Sequence, residues 1–572
     1  MSILDWFVLA ATLLTIVVYG VWRTRDVTSS DRFLRGGNED RWATIGLSIM
    51  ATQASAITFL STPGQAYEDG MRFVQFYFGL PIAMVILSAV LLPAYYRLHV
   101  ITAYEFLEQR FDRKTRQLAA LLFLVQRGLA AGITIYAPSI LLSALLGWNL
   151  SLTNILTGGL VIVYTVAGGT RAVSQTQKQQ MVVMLGGMAL AAAYVVASLP
   201  PDVSVRDAFH VAGALGRLNA VDFSFDPDSR YTFWSGITGG TFLALAYFGT
   251  DQSQVQRYLS GQTLAQSRLG LLMNGLLKVP MQCLILMTGV MVFVFYQFEK
   301  PPAFFNEPAR NVVAAGPHRD ALLAAEGVYD AAHAARRGAV DGYLAALDDG
   351  EEEAAKEELR RAHAAMEAAR GGVKAVIAKD ASGVETEDAD YVFLGFVLRY
   401  LPAGLVGLVI AVVLSAAMSS TASELSALGT TTLVDFYRRS WVTVAPDRHY
   451  LVMSKAFTFA WGLVAVAFAC FASMLDNLIE AVNIVGSLFY GSILGIFVVA
   501  FFLKRAGGNA VFAAALAAEA LVLGLYATTD IGFLWFNAIG CGAVFGLAAL
   551  FSPFADGPRR GSPRRRRARG VA

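Results

Sequence analysis

The sequence is poor in charged residues, in cysteine and in the motifs of hydrolytic enzymes. Asp, Glu, Lys and Arg make up 15% of its 572 residues, whereas soluble domains carry about 25%. The three cysteines, Cys283, Cys470 and Cys541, form no CxxC pair and no disulfide framework. HExxH and GxSxG motifs are absent. A soluble multidomain enzyme is therefore excluded, and we predict that the chain is not an enzyme.

Long apolar runs dominate what is present. Hydrophobic residues make up 56% of the chain, and its mean hydropathy is +0.52. Each run of roughly 20–25 residues can cross a hydrocarbon core of ~30 Å. Strand-like alternation is absent, and hydrocarbon tolerates no open backbone, so we predict helices and an all-α polytopic membrane protein. The thirteen predicted spans are Leu4–Trp22, Trp42–Thr62, Phe73–Leu98, Leu118–Leu146, Leu150–Val166, Gln180–Leu199, Phe233–Gly249, Leu271–Phe298, Leu401–Asp435, Leu451–Leu475, Leu478–Leu503, Val511–Thr528 and Gly532–Phe551.

Basic residues concentrate in alternate loops between these spans. The loop after span one holds five Lys or Arg, and four follow span three in addition to Arg97 at its end. Seven arginines lie in the tail 553–572, whereas the short loop 147–149 has none. Because basic loops stay on the cytoplasmic side, we predict an N-terminus outside and a cytoplasmic C-terminus in the plasma (inner) membrane. The tail is expected to face anionic lipid rather than nucleic acid.

One hydrophilic segment, 299–390, interrupts the spans. It holds 19 acidic and 11 basic residues, and its middle part, from Asp320 to Arg370, is rich in Ala, Glu and Arg at helical spacing. We predict an extracytoplasmic helical hairpin, either a tolerated surface insertion or a lid over a binding site.

Polar residues crowd the middle of two spans, where they are costly and therefore indicate function. Thr52, Gln53, Ser55 and Thr58 lie within span two, and a helix broken there would free carbonyls to coordinate an ion. In span nine, Ala416, Ser419 and Ser420 lie at i, i+3 and i+4 and share one face. Such oxygens suit a hard cation, and without a surrounding carboxylate cluster a monovalent ion such as Na⁺ fits best. Helix packing through small residues is the alternative.

These residues bring the chain close to a known family. The run 416–423 (AAMSSTAS), followed by 430–432 (TTT) and 435–437 (DFY), resembles the signature helix of the sodium/solute symporter family. The segment 167–173 (AGGTRAV) resembles the family's Gly-Gly loop, and span two and 247–249 (YFG) are also similar. The resemblance covers nearly the whole chain except 299–390 and the tail.

The resemblance implies a LeuT-type fold with two inverted five-helix repeats and discontinuous helices. An extra helix, 1–22, would precede a transmembrane region 42–298, which holds the first repeat and the start of the second. The second repeat would end in 391–503, followed by further helices in 504–552. The family's sodium site would fall, in this sequence, on the carbonyls of Ala51, Ala54 and Ala416 and the hydroxyls of Ser419 and Ser420. Gln177 replaces an Asp of many relatives, and Ala422 replaces a serine used by two-sodium members, so one Na⁺ per cycle is expected.

The resemblance also implies a solute site at the midplane between the broken helices. The residues expected to face the solute are Gln53, Thr58, Gln75, Tyr247, Lys278 and Asn483, with Tyr247 as an inner gate. Arg127, about 13 Å into span four, either reaches towards the cytoplasmic face or meets a carboxylate of the solute. The run 132–138 (GITIYAP) resembles the branch that carries monocarboxylates, vitamins and iodide. A small organic anion and a sugar or polyol both remain candidates.

We therefore predict a Na⁺-coupled symporter that imports a small solute by alternating access. The expected partners are the solute and the lipid bilayer, with no nucleic acid and no evident obligate protein partner. A sensor or an uncoupled channel with the same fold is the alternative.

Overall fold

The computed structural model describes residues 1–23, 29–349, 352–380, 388–471 and 478–555. Within them the chain is helical, and β-pairing is limited to an isolated parallel bridge between Asp40 and Gly261. The first half comprises α1 (Ile3–Arg23), α2 (Ser30–Arg35), α3 (Trp42–Gln53), α4 (Ala56–Asp69), α5 (Leu80–Ile86), α6 (Leu92–Leu98), α7 (Glu105–Arg110), α8 (Arg113–Leu146), α9 (Leu150–Ala197), α10 (Val205–Ala214) and α11 (Gly240–Thr250). The second comprises α12 (Gln252–Leu259), α13 (Leu264–Phe298), α14 (Glu307–Ala314), α15 (Arg319–Asp349), α16 (Glu352–Asp380), α17 (Ala389–Tyr400), α18 (Leu405–Thr431), α19 (Asp447–Ala469), α20 (Leu478–Phe502), α21 (Gly508–Thr528) and α22 (Phe533–Ala555). A 3₁₀ segment (Gly70–Tyr77) follows α4, and π-helical turns occupy Leu87–Leu91, Ser235–Gly239 and Thr432–Trp441.

Ten helical stretches of the described chain are long and apolar enough to cross a membrane. They are Ile3–Gly20, Ala56–Leu98, Arg113–Ser143, Thr165–Ala197, Leu264–Phe298, Leu405–Trp441, Asp447–Ala469, Glu480–Phe502, Gly508–Thr528 and Phe533–Ala555. Predicted spans two, five and seven correspond to shorter segments at Trp42–Gln53, Leu150–Val163 and 235–250. The structure confirms an all-helical multi-pass protein, while the count of thirteen crossings stays a prediction.

Two helices are interrupted in the middle of the bundle. α3 ends at Gln53 and α4 begins at Ala56, with Ala54 at φ −84° and ψ 84° between them. α11 ends at Thr250, and Asp251, at φ −77° and ψ 119°, leads into α12. The predicted break in span two is therefore present, and each break exposes polar backbone that the next helical turn would otherwise have satisfied.

Predicted spans five and six run on as the single helical element α9, which is kinked at Gly169. The backbone of Gly169 lies at φ 57° and ψ −164°, in a region that side chains disfavour. A Cβ there would also lie 2.5 Å from the Phe33 ring. Glycine is therefore required where α2 packs against the kink.

α18 occupies the centre of the molecule. It packs against α1, α3, α4, α8, α9 and α19, and nearly all of its residues from Val406 to Thr431 are buried. The serine and threonine hydroxyls of α18 therefore lie in the interior of the bundle, where lipid offers them no hydrogen-bond partner.

The insertion contains the predicted hairpin. α15 and α16 pack against each other around a small apolar cluster of its own that includes Leu322, Tyr329, Met366 and Val373. Residues 350–351 and 381–387 of the insertion and residues 556–572 of the predicted basic tail lie outside the described part of the chain.

Candidate functional site

The break in α3–α4 faces the hydroxyl-bearing side of α18. Ser55 N donates to Gln53 O (3.1 Å) and Thr58 N to Ser55 O (3.0 Å), so the carbonyls of Ala51 and Ala54 lose their usual helical partners. Ser419 Oγ donates to Ala51 O (2.9 Å), and Ser420 Oγ donates to Ala416 O (2.9 Å). Of the five predicted sodium-site oxygens, Ala51 O and Ser419 Oγ therefore meet across the break, whereas the contact between Ser420 Oγ and Ala416 O lies within α18.

Gln177 of α9 fills the space next to this oxygen cluster. Its Nε2 lies within hydrogen-bonding distance of Thr52 Oγ1 (3.0 Å), Ser419 O (3.2 Å), Ser419 Oγ (3.1 Å) and Ser423 Oγ (2.9 Å). Its Oε1 accepts from Ser48 Oγ. A neutral amide thus ties α3, α9 and α18 together.

A cavity of about 120 Å³ adjoins the break. Five of the predicted solute residues line it: Gln53, Thr58, Arg127, Tyr247 and Asn483. The remaining lining residues come from α3–α4, the 3₁₀ segment with α5, α8, α11, α18 and α20: Thr52, Ser55, Ile57, Phe76, Tyr77, Leu80, Gln126, Thr134, Gly240, Leu243, Ala244, Phe248, Ser420, Glu424, Val482, Gly486 and Tyr490. Ser420 is shared with the oxygen cluster, so an ion there would adjoin the cavity.

Gln75 and Lys278 do not line this cavity. Gln75 is used structurally, since Nε2 donates to Tyr231 O (2.9 Å) and Oε1 accepts from Asp222 N (2.9 Å). Lys278 is fully buried on α13, and its Nζ has no hydrogen-bond partner among the described residues. It lies 5.7 Å from the Tyr77 ring centroid, on the far side of a residue that does line the cavity.

Arg127 binds two protein carboxylates, an outcome that neither sequence alternative included. Nε donates to Asp251 Oδ2 (3.0 Å), Nη1 donates to Glu424 Oε1 (3.0 Å), and Nη2 contacts both Asp251 and Tyr490 Oη. Tyr490 Oη also donates to Asp251 Oδ2 (2.7 Å). The sequence reasoning missed Asp251 and did not pair Glu424. The one available signal was that Asp251 follows directly on the predicted end of span seven.

Tyr247 lies between the cavity and this charged network. Its hydroxyl accepts from Gln254 Nε2 (2.7 Å), and the Arg127 guanidinium carbon lies 5.2 Å from its ring centroid. Its ring is 5.9 Å from that of Tyr490. Contacts from α8, α12 and α20 therefore hold the Tyr247 ring at one side of the cavity, and its role as an inner gate stays a prediction.

A polytopic helical protein with two interrupted helices around a small polar cavity has the architecture of a LeuT-type transporter. The same fold occurs in a Na⁺-coupled sialic acid symporter solved in a substrate-bound outward-open state. The TM-score is 0.75, with 96% of this chain and 98% of that chain covered and 20% sequence identity. This similarity confirms the predicted fold class.

The chain belongs to the sodium:solute symporter family, whose profile matches residues 33–316 and 365–517. The predicted resemblance is thereby confirmed, and the unmatched gap lies within the insertion. The chain is 35% identical to the human sodium/iodide cotransporter over 51% of this chain and 45% of that protein. It is 34% identical to sodium-coupled monocarboxylate transporter 1 of Xenopus laevis over 52% and 48%. It thus spans about half the length of these curated relatives. A rabbit sodium-dependent multivitamin transporter is 25% identical over 91% of this chain and 66% of that protein.

Proposed function

We propose that the chain is a Na⁺-coupled symporter that imports a small solute by alternating access. The observation that carries this proposal is the hydrogen bond from Ser419 of α18 to the Ala51 carbonyl freed at the break of α3–α4, next to a cavity that Ser420 also lines. An ion at this point would link α3–α4 to α18. Because it binds across two elements, its entry would favour the arrangement in which they are closest.

The ion site proposed is the oxygen set of Ala51, Ala54, Ala416, Ser419 and Ser420. The described residues contain no cluster of His, Cys, Asp or Glu able to hold a metal ion, and neutral carbonyl and hydroxyl oxygens favour a monovalent cation. Gln177 places an amide nitrogen beside Ser419 and Ser423, where a second cation would meet a hydrogen-bond donor. One Na⁺ per cycle is the stoichiometry that this arrangement favours.

The solute would bind in the cavity lined by Gln53, Thr58, Arg127, Tyr247 and Asn483. The names of the relatives, which are iodide, monocarboxylate and multivitamin transporters, keep a small organic anion as a candidate beside a sugar or polyol. We place the protein in the plasma membrane with its N-terminus outside, from the distribution of basic loops.

A screen of the purified protein tests this function. Sugars, carboxylates and amino acids are added in NaCl and in KCl, and the melting temperature is measured. We expect Na⁺ alone to stabilise the protein, and one solute class to stabilise it only with Na⁺, with a Hill coefficient for Na⁺ near one. An equal rise in melting temperature in KCl would contradict coupling to Na⁺.

Hydroxyl variants locate the ion. Ser419→Ala and Ser420→Ala should each raise the half-saturating Na⁺ concentration about tenfold, because each removes one ligand of the cation. Thr421→Val is the matched control, since Thr421 is buried on the same helix and points away from the predicted face at 100° per residue. An equal effect of all three variants would argue for a packing role of the hydroxyls.

Measurements of solute flux distinguish a symporter from a channel or a sensor of the same fold. A channel of this fold would pass solute into liposomes without saturation or Na⁺ dependence, and a sensor would bind solute without transporting it. Saturable uptake driven by an inward Na⁺ gradient is the expected result.

A further inference from the structure

The charged groups at the cavity form a network in which the Arg127 guanidinium already has hydrogen-bond partners within the protein. Arg127 is buried, and its guanidinium donates to Asp251, Glu424 and Tyr490 through Nε, Nη1 and Nη2. A guanidinium has five N–H donors in a fixed fork, and four of them are engaged here. Arg127 therefore has no free bidentate face with which to bind an anionic solute.

The Glu424 carboxylate, which Arg127 contacts, has one oxygen that Arg127 does not reach. Glu424 Oε1 accepts from Arg127, whereas Glu424 Oε2 is buried without a hydrogen-bond partner among the described residues. The Thr134 hydroxyl lies near the Glu424 carboxylate but donates to Ala130 O. Glu424 lines the cavity, so its free oxygen is next to the space where a solute would bind. A buried carboxylate oxygen without a donor is costly, and a ligand that supplies one removes that cost.

Two further acceptors without partners belong to the same cavity. Gln53 Oε1 and Gln126 Oε1 are buried and have no partner in the described chain, and both residues line the cavity. An amide can turn to present either of its atoms, but the Glu424 carboxylate is an acceptor alone when ionised. The Gln53 and Gln126 amides and the hydroxyls of Ser55 and Thr58, which also line the cavity, can donate as well as accept. A solute with hydroxyl or amine hydrogens would therefore be needed above all by Glu424 Oε2, which can only accept when the carboxyl is ionised.

Charge balance narrows the solute class further. When Asp251 and Glu424 are both ionised, Arg127 contributes one positive charge against their two negative charges. Ser420, a proposed sodium ligand, precedes Glu424 by one helical turn on α18. With one Na⁺ at the proposed site, the four charges sum to zero. A net-uncharged solute keeps that balance in a low-dielectric interior, whereas an anion restores an uncompensated negative charge.

We propose that Glu424 is a solute-binding residue whose free oxygen accepts a hydrogen bond from the solute, and that the solute is a net-uncharged hydrogen-bond donor such as a sugar, polyol or zwitterion. Arg127 acts as a positioning residue that fixes the Glu424 carboxylate. This inference rests on the proposed symporter function and names the solute class of the same cavity.

The test uses the purified full chain and defined probes. Galactose, myo-inositol and proline represent uncharged donors, and acetate, pyruvate and iodide represent anions without spare donors. The melting temperature is measured with each probe in NaCl and in KCl, for wild type, Glu424→Gln and Glu519→Gln. Glu519 is the matched control because it is a buried carboxyl of α21 that does not line the cavity.

We expect an uncharged donor, and none of the three anions, to stabilise the wild type in NaCl. Its apparent affinity should fall about tenfold in Glu424→Gln, because a charged acceptor becomes a neutral amide, and should be unchanged in Glu519→Gln. Stabilisation by Na⁺ alone should persist in Glu424→Gln, which shows that the variant is folded.

Three outcomes overturn the inference: stabilisation by a donor-free anion, stabilisation by no uncharged probe, and equal affinity of the uncharged probe for wild type and Glu424→Gln. Failure of the proposed function has a different signature. There, Na⁺ alone would give no shift, or the probe would bind equally in KCl, whatever residue stands at position 424.

Discussion

A single guanidinium, that of Arg127, forms ion pairs with two carboxylates inside the helix bundle. It joins α8 to Asp251 at the break of α11–α12 and to Glu424 on α18. Removal of one partner from a buried charge network leaves the other charges unpaired, which is more damaging than loss of the whole network. The residue thus acts as a cross-link between three elements.

Arg127→Met should therefore destabilise the protein by about 3–5 kcal/mol, and Arg127→Met combined with Asp251→Asn and Glu424→Gln should recover most of that loss. Thermal unfolding in detergent measures both. Lys278→Met is the comparison, because Lys278 is a buried cation whose amine lacks a hydrogen-bond partner in the described chain; its replacement should leave stability unchanged or raise it. A loss in Arg127→Met no larger than in Lys278→Met would contradict the network.

At the scale of elements, the insertion is fixed to the second half of a broken helix. Asp388 Oδ1 lies 2.7 Å from Arg370 Nη2 and 2.9 Å from Lys374 Nζ, and Arg370 Nη1 lies 3.7 Å from Glu68 in the last turn of α4. Burial acts to raise the pKa of Asp388, but the charges of Arg370 and Lys374 outweigh it and hold the pKa below its ordinary value. The hairpin is therefore positioned to follow, or to restrain, movement of α4.

His363 gives the docked hairpin a pH dependence. On α16 its ring lies 5.5 Å from that of Phe293 on α13, and burial, together with Arg217 and Arg336, lowers the pKa of His363 to about 3. An undocked histidine has a pKa of about 6.5, so protons bind preferentially to the undocked form. Docking is fully favourable above pH 6.5 and weakens as the pH falls from about 6.5 towards 3.

Hydrogen exchange of α15 and α16, corrected for the intrinsic rate at each pH, should therefore show less protection at pH 5 than at pH 7.5. His363→Gln should reduce this difference, because the glutamine does not titrate. His318→Gln, near the start of the same hairpin, should leave it unchanged. Equal protection of α15 and α16 from hydrogen exchange at both pH values in the wild type would contradict the prediction.

At the scale of the whole molecule, coupling to Na⁺ makes transport sensitive to the membrane potential. One charge crossing 100 mV gains about 2.3 kcal/mol, which supports about 40-fold accumulation of an uncharged solute at about 1.4 kcal/mol per decade. Liposomes with an imposed K⁺ diffusion potential, negative inside, should show faster Na⁺-dependent uptake than liposomes without one. If the rate of uptake of an uncharged solute does not depend on the membrane potential, net movement of one charge per cycle is excluded.

Much of the architecture is predictable because a bilayer restricts what a sequence can do. Apolar runs of span length must be helices there, and the polar cluster around Gln53 and Ser55 predicts the break that the structure has between α3 and α4. The shared face of Ala416, Ser419 and Ser420 follows from helical periodicity alone, and the structure turns that face towards the break.

Contacts between distant residues depend on the tertiary structure. Arg127 and Asp251 are 124 positions apart, and no spacing rule relates residues on different helices. For the same reason, the sequence could not show that Gln75 is held by Tyr231 and Asp222 or that Lys278 lies outside the cavity. The helices, the break and the hydroxyl face are predictable from the sequence, because each arises from local periodicity and from the lipid surroundings. Only helix packing decided which charges pair and which acceptors remain open to a solute, because burial brings together groups that the chain order separates.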